Sequence, residues 1–303
     1  MNIRTNSRAR LIGLAALASV LFSVLRRVDI FLPIGSPLAN AGWALTPILV
    51  AMVLVRMIFG AIAVLVAMPP ILGIRRLSEW LRDALRADLK ATLLGTSSYI
   101  AFGVLAAAIA SGMGIYKGDW STVFARPDIR PDPDVIGWGY FLLALVPGIW
   151  EELAFRGLIL PKLQKTFPKW ASILLSSALF ALFHLTNLVT EDLAAAIGGV
   201  VMSFFFGLAW GVMTVRSGSV LPAMLSHYLV DSLGQPFLNV STTDPVLQIQ
   251  FFLLLTLTFP IVCTGLTALM YSDRRDTADV VTGSQKTANR APAKRPVGTQ
   301  SIR

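Results

Sequence analysis

Three short groups of residues could do chemistry together: Glu151-Glu152-x-x-x-Arg156, Phe180-x-x-x-His184 and His227-x-x-x-Asp231. Two carboxylates and a guanidinium stand in a run that otherwise reads as membrane-spanning, with Phe141 to Ile149 before them and Leu158 to Leu160 after. A charge at bilayer depth costs at least about 2.5–3.5 kcal/mol on insertion scales, and charges inside a span mostly face the bundle interior and mark a functional site. The plainer reading is an ion pair that locks two helices. It is weakened because the only two histidines, His184 and His227, also lie in apolar runs. One chemistry that fits is activation of water. A carboxylate in a low-dielectric site can serve as general base, and an imidazole can orient the water or share its proton. A second imidazole with a hydrogen-bonding partner can stabilise the oxyanion of a hydrolysed amide. The other is a metal site, with His184, His227 and a carboxylate as ligands. Residue types alone do not separate the two.

Helical spacing pairs these groups. Glu152 and Arg156 are i,i+4, so Arg156 can neutralise Glu152 within one helix. Glu151 points about 100° away and is expected to be free to face a cavity. His227 and Asp231 also share a face, and Phe180 sits one turn before His184. At about 1.5 Å per residue, His184 lies roughly 20 Å in from Trp170, Asp231 roughly 18 Å in from Ser219 and Glu151 roughly 15 Å in from the opposite face. The three groups can therefore share one layer.

The elements that must hold them follow from composition. The chain has 303 residues, is 55% hydrophobic and only 14% charged, where a soluble domain is nearer 25% charged. The apolar runs are continuous and do not alternate, which favours helices over a barrel. The expected fold is all-α, a polytopic transmembrane helical bundle of about eight spans. They are Leu11–Leu25, Ala44–Ile74 with a kink at Pro69-Pro70, Ala91–Met113, Val135–Leu160, Trp170–Val189, Leu193–Val215, Ser219–Leu233 and Leu247–Met270. The organisation reads as N-terminal transmembrane helices and loops over 1–134, a catalytic core over 135–235, a last transmembrane helix within 236–272 and a disordered basic tail over 273–303. The first run is short for a span and resembles a signal-peptide core, but no small-residue cleavage site follows it; it is read as a span or signal anchor.

Between the spans, Arg75 to Lys90 reads as a short amphipathic surface helix, with Leu77, Trp80, Leu81 and Leu85 on its apolar side and Arg76, Arg82 and Arg86 on its basic side. The segment from Tyr116 to Asp134, with Pro127, Pro131 and Pro133, reads as extended. In the sixth span, Gly198, Gly199, Gly207 and Gly211 allow close helix approach; packing within the bundle explains Gly207 and Gly211 as well as dimerisation does. Arg56 reads as bundle-facing or snorkelling, and Cys263 as a small packing residue.

The net charge of +9 is no nucleic-acid signature, because the basic residues sit in loops and tails beside the spans. That bias is the positive-inside pattern. Both ends, Arg75–Lys90 and the loop carrying Lys162, Lys165 and Lys169 are basic, so both termini are expected in the cytoplasm of a bacterial-type inner membrane. Arg26-Arg27 is the exception to this pattern.

The three groups, in this order and each in an expected span, resemble the motifs of the CPBP (CAAX protease and bacteriocin-processing) intramembrane proteases. That family includes the type II CAAX prenyl endopeptidases and the ABI proteins. The resemblance covers roughly Val135 to Leu233. It implies Glu151 as the base that activates water, Glu152 and Arg156 as its support, His184 as the residue that helps position the water, and His227 with Asp231 as the oxyanion pair. CAAX-type members commonly have Asn where this chain has Asp231. An ionised Asp cannot donate to an oxyanion, so Asp231 must be protonated or must orient His227. The resemblance leaves metal dependence open: no cofactor is favoured, and zinc held by Glu151, His184 and His227 is the alternative. It implies a membrane-associated peptide or protein substrate, prenylated or bacteriocin-like. Outside it stand a proton-coupled transporter, against which no repeated halves are seen, and a non-catalytic immunity or interaction protein that keeps the groups for stability.

Overall fold

Apolar runs in lipid can satisfy their backbone only by closing hydrogen bonds within themselves, and every described element of the computed structural model is helical. The structure describes residues 3–27, 45–86, 92–93, 142–189 and 192–234, with scattered positions between 246 and 269. Helix α1 is Ile3–Arg26. Helix α2 starts as Leu45–Ala61, widens over Ile62–Ala67 and closes as Met68–Leu72. The short α3 is Leu77–Ala84. Helix α4 covers 142–164 and contains two stretches of wide, π-type turns, Pro147–Glu151 and Leu153–Ile159. Helix α5 is Lys169–Phe183, continued as a tight 3₁₀ segment His184–Val189. Helix α6 is Leu193–Ser217, and α7 is Leu221–Leu229 with wide turns over Val230–Gly234.

Four stretches are long and apolar enough to cross a membrane: Ser7–Arg26, Pro47–Leu72, Lys169–Val189 and Ala196–Ser217. They correspond to the first, second, fifth and sixth expected spans. The fourth expected span is helical from 142 but carries three charges, and the seventh is short. The third, Ala91–Met113, and the eighth, Leu247–Met270, fall largely outside the described residues. So do the segment Tyr116–Asp134, Cys263 and the tail over 273–303.

The first run is part of the bundle. On α1, Leu11, Ala15, Ala18 and Phe22 are buried, while Leu17, Val20 and Val24 on the other side are more than half exposed and apolar, as a lipid-facing surface is. Phe22 meets Phe155 of α4 edge-on at 5.9 Å and Phe183 of α5 at 5.5 Å. In α2 the widened turns immediately precede Pro69 and Pro70, which lack the N–H that would hold a regular turn there. The helix ends at Gly73, whose φ of 65° suits a residue without Cβ. The surface helix α3 proves to be a buttress as well. It has no buried residue, yet Leu77, Trp80, Leu81 and Ala84 pack on the core, and the Trp80 indole donates to the Gly157 carbonyl at 2.6 Å.

Helices α5 and α6 pack antiparallel through small residues. A Cβ on Gly207 would lie 3.1 Å from Ser177 Cβ and 3.2 Å from Ser177 Cα, and one on Gly211 would lie 2.9 Å from Ile173 Cγ2. Both glycines of the small-residue pattern therefore face the bundle. Gly207→Val is expected to lower stability by about 1–3 kcal/mol, since backbone cannot move aside for the added methyls. Gly13→Ala, whose Cβ meets no described residue within 4 Å, is expected to be neutral or to gain up to about 1 kcal/mol. Apparent melting temperatures in detergent measure both, and equal values for the two variants would contradict the close approach.

Candidate active site

The acidic group sits on the wide turns of α4. Pro147 supplies no N–H and Gly148 no side chain, so this stretch is free to widen and to be approached closely. A Cβ on Gly148 would lie 3.1 Å from Tyr228 Cβ and 3.2 Å from the Met224 carbonyl oxygen. That proximity brings α7, and with it His227, against the acidic group. The second wide stretch is fixed from outside. The Phe155 carbonyl accepts from the Leu160 N–H and also from the Ser176 hydroxyl of α5 at 3.1 Å. The Gly157 carbonyl accepts from Trp80 of α3.

Glu152 is fully buried and its Oε1 accepts twice, from Arg156 Nη1 at 3.1 Å and from His227 Nδ1 at 2.8 Å. The first is the i,i+4 pair that spacing predicts; the second crosses from α4 to α7. Because a carboxylate oxygen accepts, the Nδ1 of His227 carries a proton toward it. The imidazole Nε2 then faces Asp231 Oδ2 at 3.5 Å and Glu151 Oε2 at 4.0 Å. Aromatic rings enclose the pair. Trp210 of α6 stacks on His227 with centroids 4.1 Å apart and planes 17° apart, and the Arg156 guanidinium lies 4.2 Å from the centre of the Phe180 ring.

His184 is positioned by a change of helical pitch. Its N–H turns to the Ala181 and Leu182 carbonyls as α5 tightens, which leaves the Phe180 carbonyl without the partner a regular turn would give it. The imidazole Nδ1 takes that carbonyl at 2.9 Å. A carbonyl only accepts, so Nδ1 carries the proton and Nε2 is the acceptor of the neutral ring. Phe180 and Phe183 hold the ring edge-on, at 4.8 and 5.0 Å, and it lies within electrostatic reach of Glu151.

Glu151 points away from the Glu152–Arg156 pair, as spacing predicts, but does not simply face open space. It forms an ion pair with Arg26 from the end of α1. The neighbouring Arg27 bonds the amide of Asn187, in the tight segment that begins with His184. The end of α1 thus touches the first group and the segment that follows the second. Sequence reading set Arg26 and Arg27 aside as an exception to the loop charges, and it missed Trp210 inside a run of small residues. The one available signal for Arg26 was a cation closing an apolar run. Among the described residues, no three His, Cys, Asp or Glu side chains are grouped so as to hold a metal ion. In the alternative zinc set of Glu151, His184 and His227, both Nδ1 atoms are hydrogen-bonded, which leaves the two Nε2 atoms as the nitrogens that could ligate a metal, while Glu151 is paired with Arg26.

Comparison with protein families gives a match to type II CAAX prenyl endopeptidase Rce1-like over residues 133–233. That segment is similar to the Rce1-like family. It takes in all three groups and spans about a third of the chain. No curated protein and no solved structure matches. The match and the four described stretches long and apolar enough to cross a membrane both point to a membrane protein.

The buried pair makes a stability prediction. Glu152→Ala strands Arg156 among rings and is expected to cost about 3–5 kcal/mol, seen as loss of folded, monodisperse protein. Adding Arg156→Met should restore much of the yield, because an apolar side chain of similar volume removes the stranded charge. Normal yield in the single variant would show that the pair does not hold the domain together.

Proposed function

We propose that the chain is an intramembrane endopeptidase that hydrolyses a peptide bond in a membrane-associated substrate with a water activated by Glu151. What supports this reading is the convergence of groups from three helices, with His227 Nε2 4.0 Å from Glu151 Oε2. In the proposed reaction Glu151 takes a proton from water as the oxygen attacks the scissile carbonyl carbon. His184 Nε2, the acceptor of the neutral ring, orients that water. His227, as an imidazolium with its Nδ1–H held by Glu152, directs its Nε2–H at the developing oxyanion, where a donor placed before reaction is worth most. The proton on Glu151 then passes to the leaving amine as the carbon–nitrogen bond breaks.

The contact of Asp231 with Nε2 favours the orienting role over direct donation to the oxyanion. Glu152 and Arg156 act on His227 and not on the substrate. No step is assigned to zinc. A prenylated CAAX-like peptide is the substrate type that the family match suggests, and a bacteriocin-like precursor is the one that the motif resemblance adds. A multi-pass protein of a bacterial-type inner membrane, with both termini cytoplasmic, suits the distribution of basic residues.

A second reading has one observation in its favour: the Arg26–Glu151 ion pair would also suit a non-catalytic interaction protein in which the acidic group serves stability. Cleavage of a quenched fluorescent peptide by the purified full-length protein separates the readings. Glu151→Gln and His184→Ala are expected to insert and accumulate normally while kcat/KM falls about 10²–10⁴-fold, the scale of a lost general base. Phenanthroline should leave the wild-type rate unchanged. Full activity in Glu151→Gln would rule out the glutamate mechanism, and loss to chelator with recovery on adding zinc would rule out the metal-free one.

A further inference from the structure

The Arg26–Glu151 contact opposes the step proposed for Glu151. A carboxylate that takes a proton surrenders its ion pair, so Glu151 can act on water readily only once Arg26 has another partner. We infer that Arg26 is an exchangeable guanidinium, which holds Glu151 in the resting molecule and leaves it for a carboxylate carried by the substrate. The inference rests on the protease reading for its meaning, but the carboxylate site itself does not require turnover.

The placement of Arg26 supports this. Its Nη2 faces Glu151 Oε1, while its Nε is buried and has no hydrogen-bond partner among the described residues. Among the described residues, neither oxygen of Glu151 has a well-formed hydrogen bond. The Nε–Nη2 edge is the one that grips a carboxylate with two parallel bonds, and half of it is unused. Arg26 is also the more open partner, with its side chain 19% exposed against 1% for Glu151. It stands in the last turn of α1, where the helix dipole favours a cation whatever its partner. Arg27 anchors that turn to Asn187, and the Phe183 ring lies 5.2 Å from the Arg26 guanidinium carbon. The backbone is thus held and only the side chain has to swing. The incoming carboxylate is either the C-terminus of a peptide or an acidic side chain within it.

The test is binding of three fluorescent apolar hexapeptides to the full-length protein in nanodiscs: one with a free C-terminal carboxylate, its C-terminal amide, and an amide carrying one internal Glu. Wild type is expected to bind a carboxylate-bearing peptide about tenfold or more tightly than the plain amide, the scale of one charge-assisted hydrogen bond. Arg26→Gln should abolish that preference and Arg26→Lys should retain part of it. Glu151→Gln, which frees Arg26, should tighten the preferred peptide several-fold and leave the plain amide unchanged. A free-terminus preference assigns the carboxylate to the chain end, and an internal-Glu preference assigns it to a side chain. Equal binding of all three by wild type, a preference that survives in Arg26→Gln, or no tightening in Glu151→Gln would overturn the exchange. Should the binding pattern hold while wild type cleaves none of the peptides, the protease reading falls and the carboxylate site stands.

Discussion

The site depends on one buried carboxylate oxygen. Glu152 Oε1 receives Arg156 from its own helix and His227 from α7. In a medium without water an isolated charge is expensive, and a paired one is tolerable only when its remaining partners are supplied. Glu152 therefore needs both donors, and the bundle is shaped to supply them. Gly148 lets α7 close on α4, Gly207 lets α6 close on α5, and Trp210 and Phe180 cover the charges with ring faces. The interior also stays near electrical balance: Glu151, Glu152 and Asp231 are set against Arg26, Arg156 and an imidazole between carboxylates.

Local periodicity revealed a good part of this arrangement. The Glu152–Arg156 pair, the shared face of His227 and Asp231, the neighbouring Phe180 and His184, and the outward turn of Glu151 all follow from helical geometry within one segment. The amphipathic α3 was equally readable from its pattern of leucine and arginine. What could not be read lies between segments. Nothing near Arg26 in the chain indicates that it reaches Glu151, 125 positions on. Trp210 looks like any aromatic in an apolar span until α7 sets His227 on its face. The wide turns of α4 and the pitch change at His184 were invisible for another reason: they come from tertiary donors, Ser176 and Trp80, and from backbone bonds that differ by one residue in register. Such irregular turns are frequent at functional sites, where a regular helix would aim the side chains elsewhere.

The first helix changes meaning once it is placed. By charge alone, Arg26 and Arg27 blur the orientation signal, because a basic pair at a span end is usually a loop anchor. In the bundle they are site residues: one faces Glu151 and the other faces Asn187 beside His184. The basic segments that remain in loops then speak more consistently for one side of the membrane.

The two arginine–glutamate pairs of the site are built for opposite purposes. Arg156 is 1% exposed, fixed by helical spacing to Glu152 and enclosed by Phe180 and Trp210, whose ring faces add attraction for the cation in a desolvated place. Removing either partner breaks a fully buried charge pair, which is how a permanent strut behaves. Arg26 shares no helix with Glu151, has one ring beside it, and ends its helix where the dipole supports it independently. A strut and a movable cation on adjacent glutamates allow the fold to keep Glu152 neutralised at all times while the charge on Glu151 is covered or uncovered. Neighbouring residues of one type thus take different work, and the difference comes from which helix supplies the arginine.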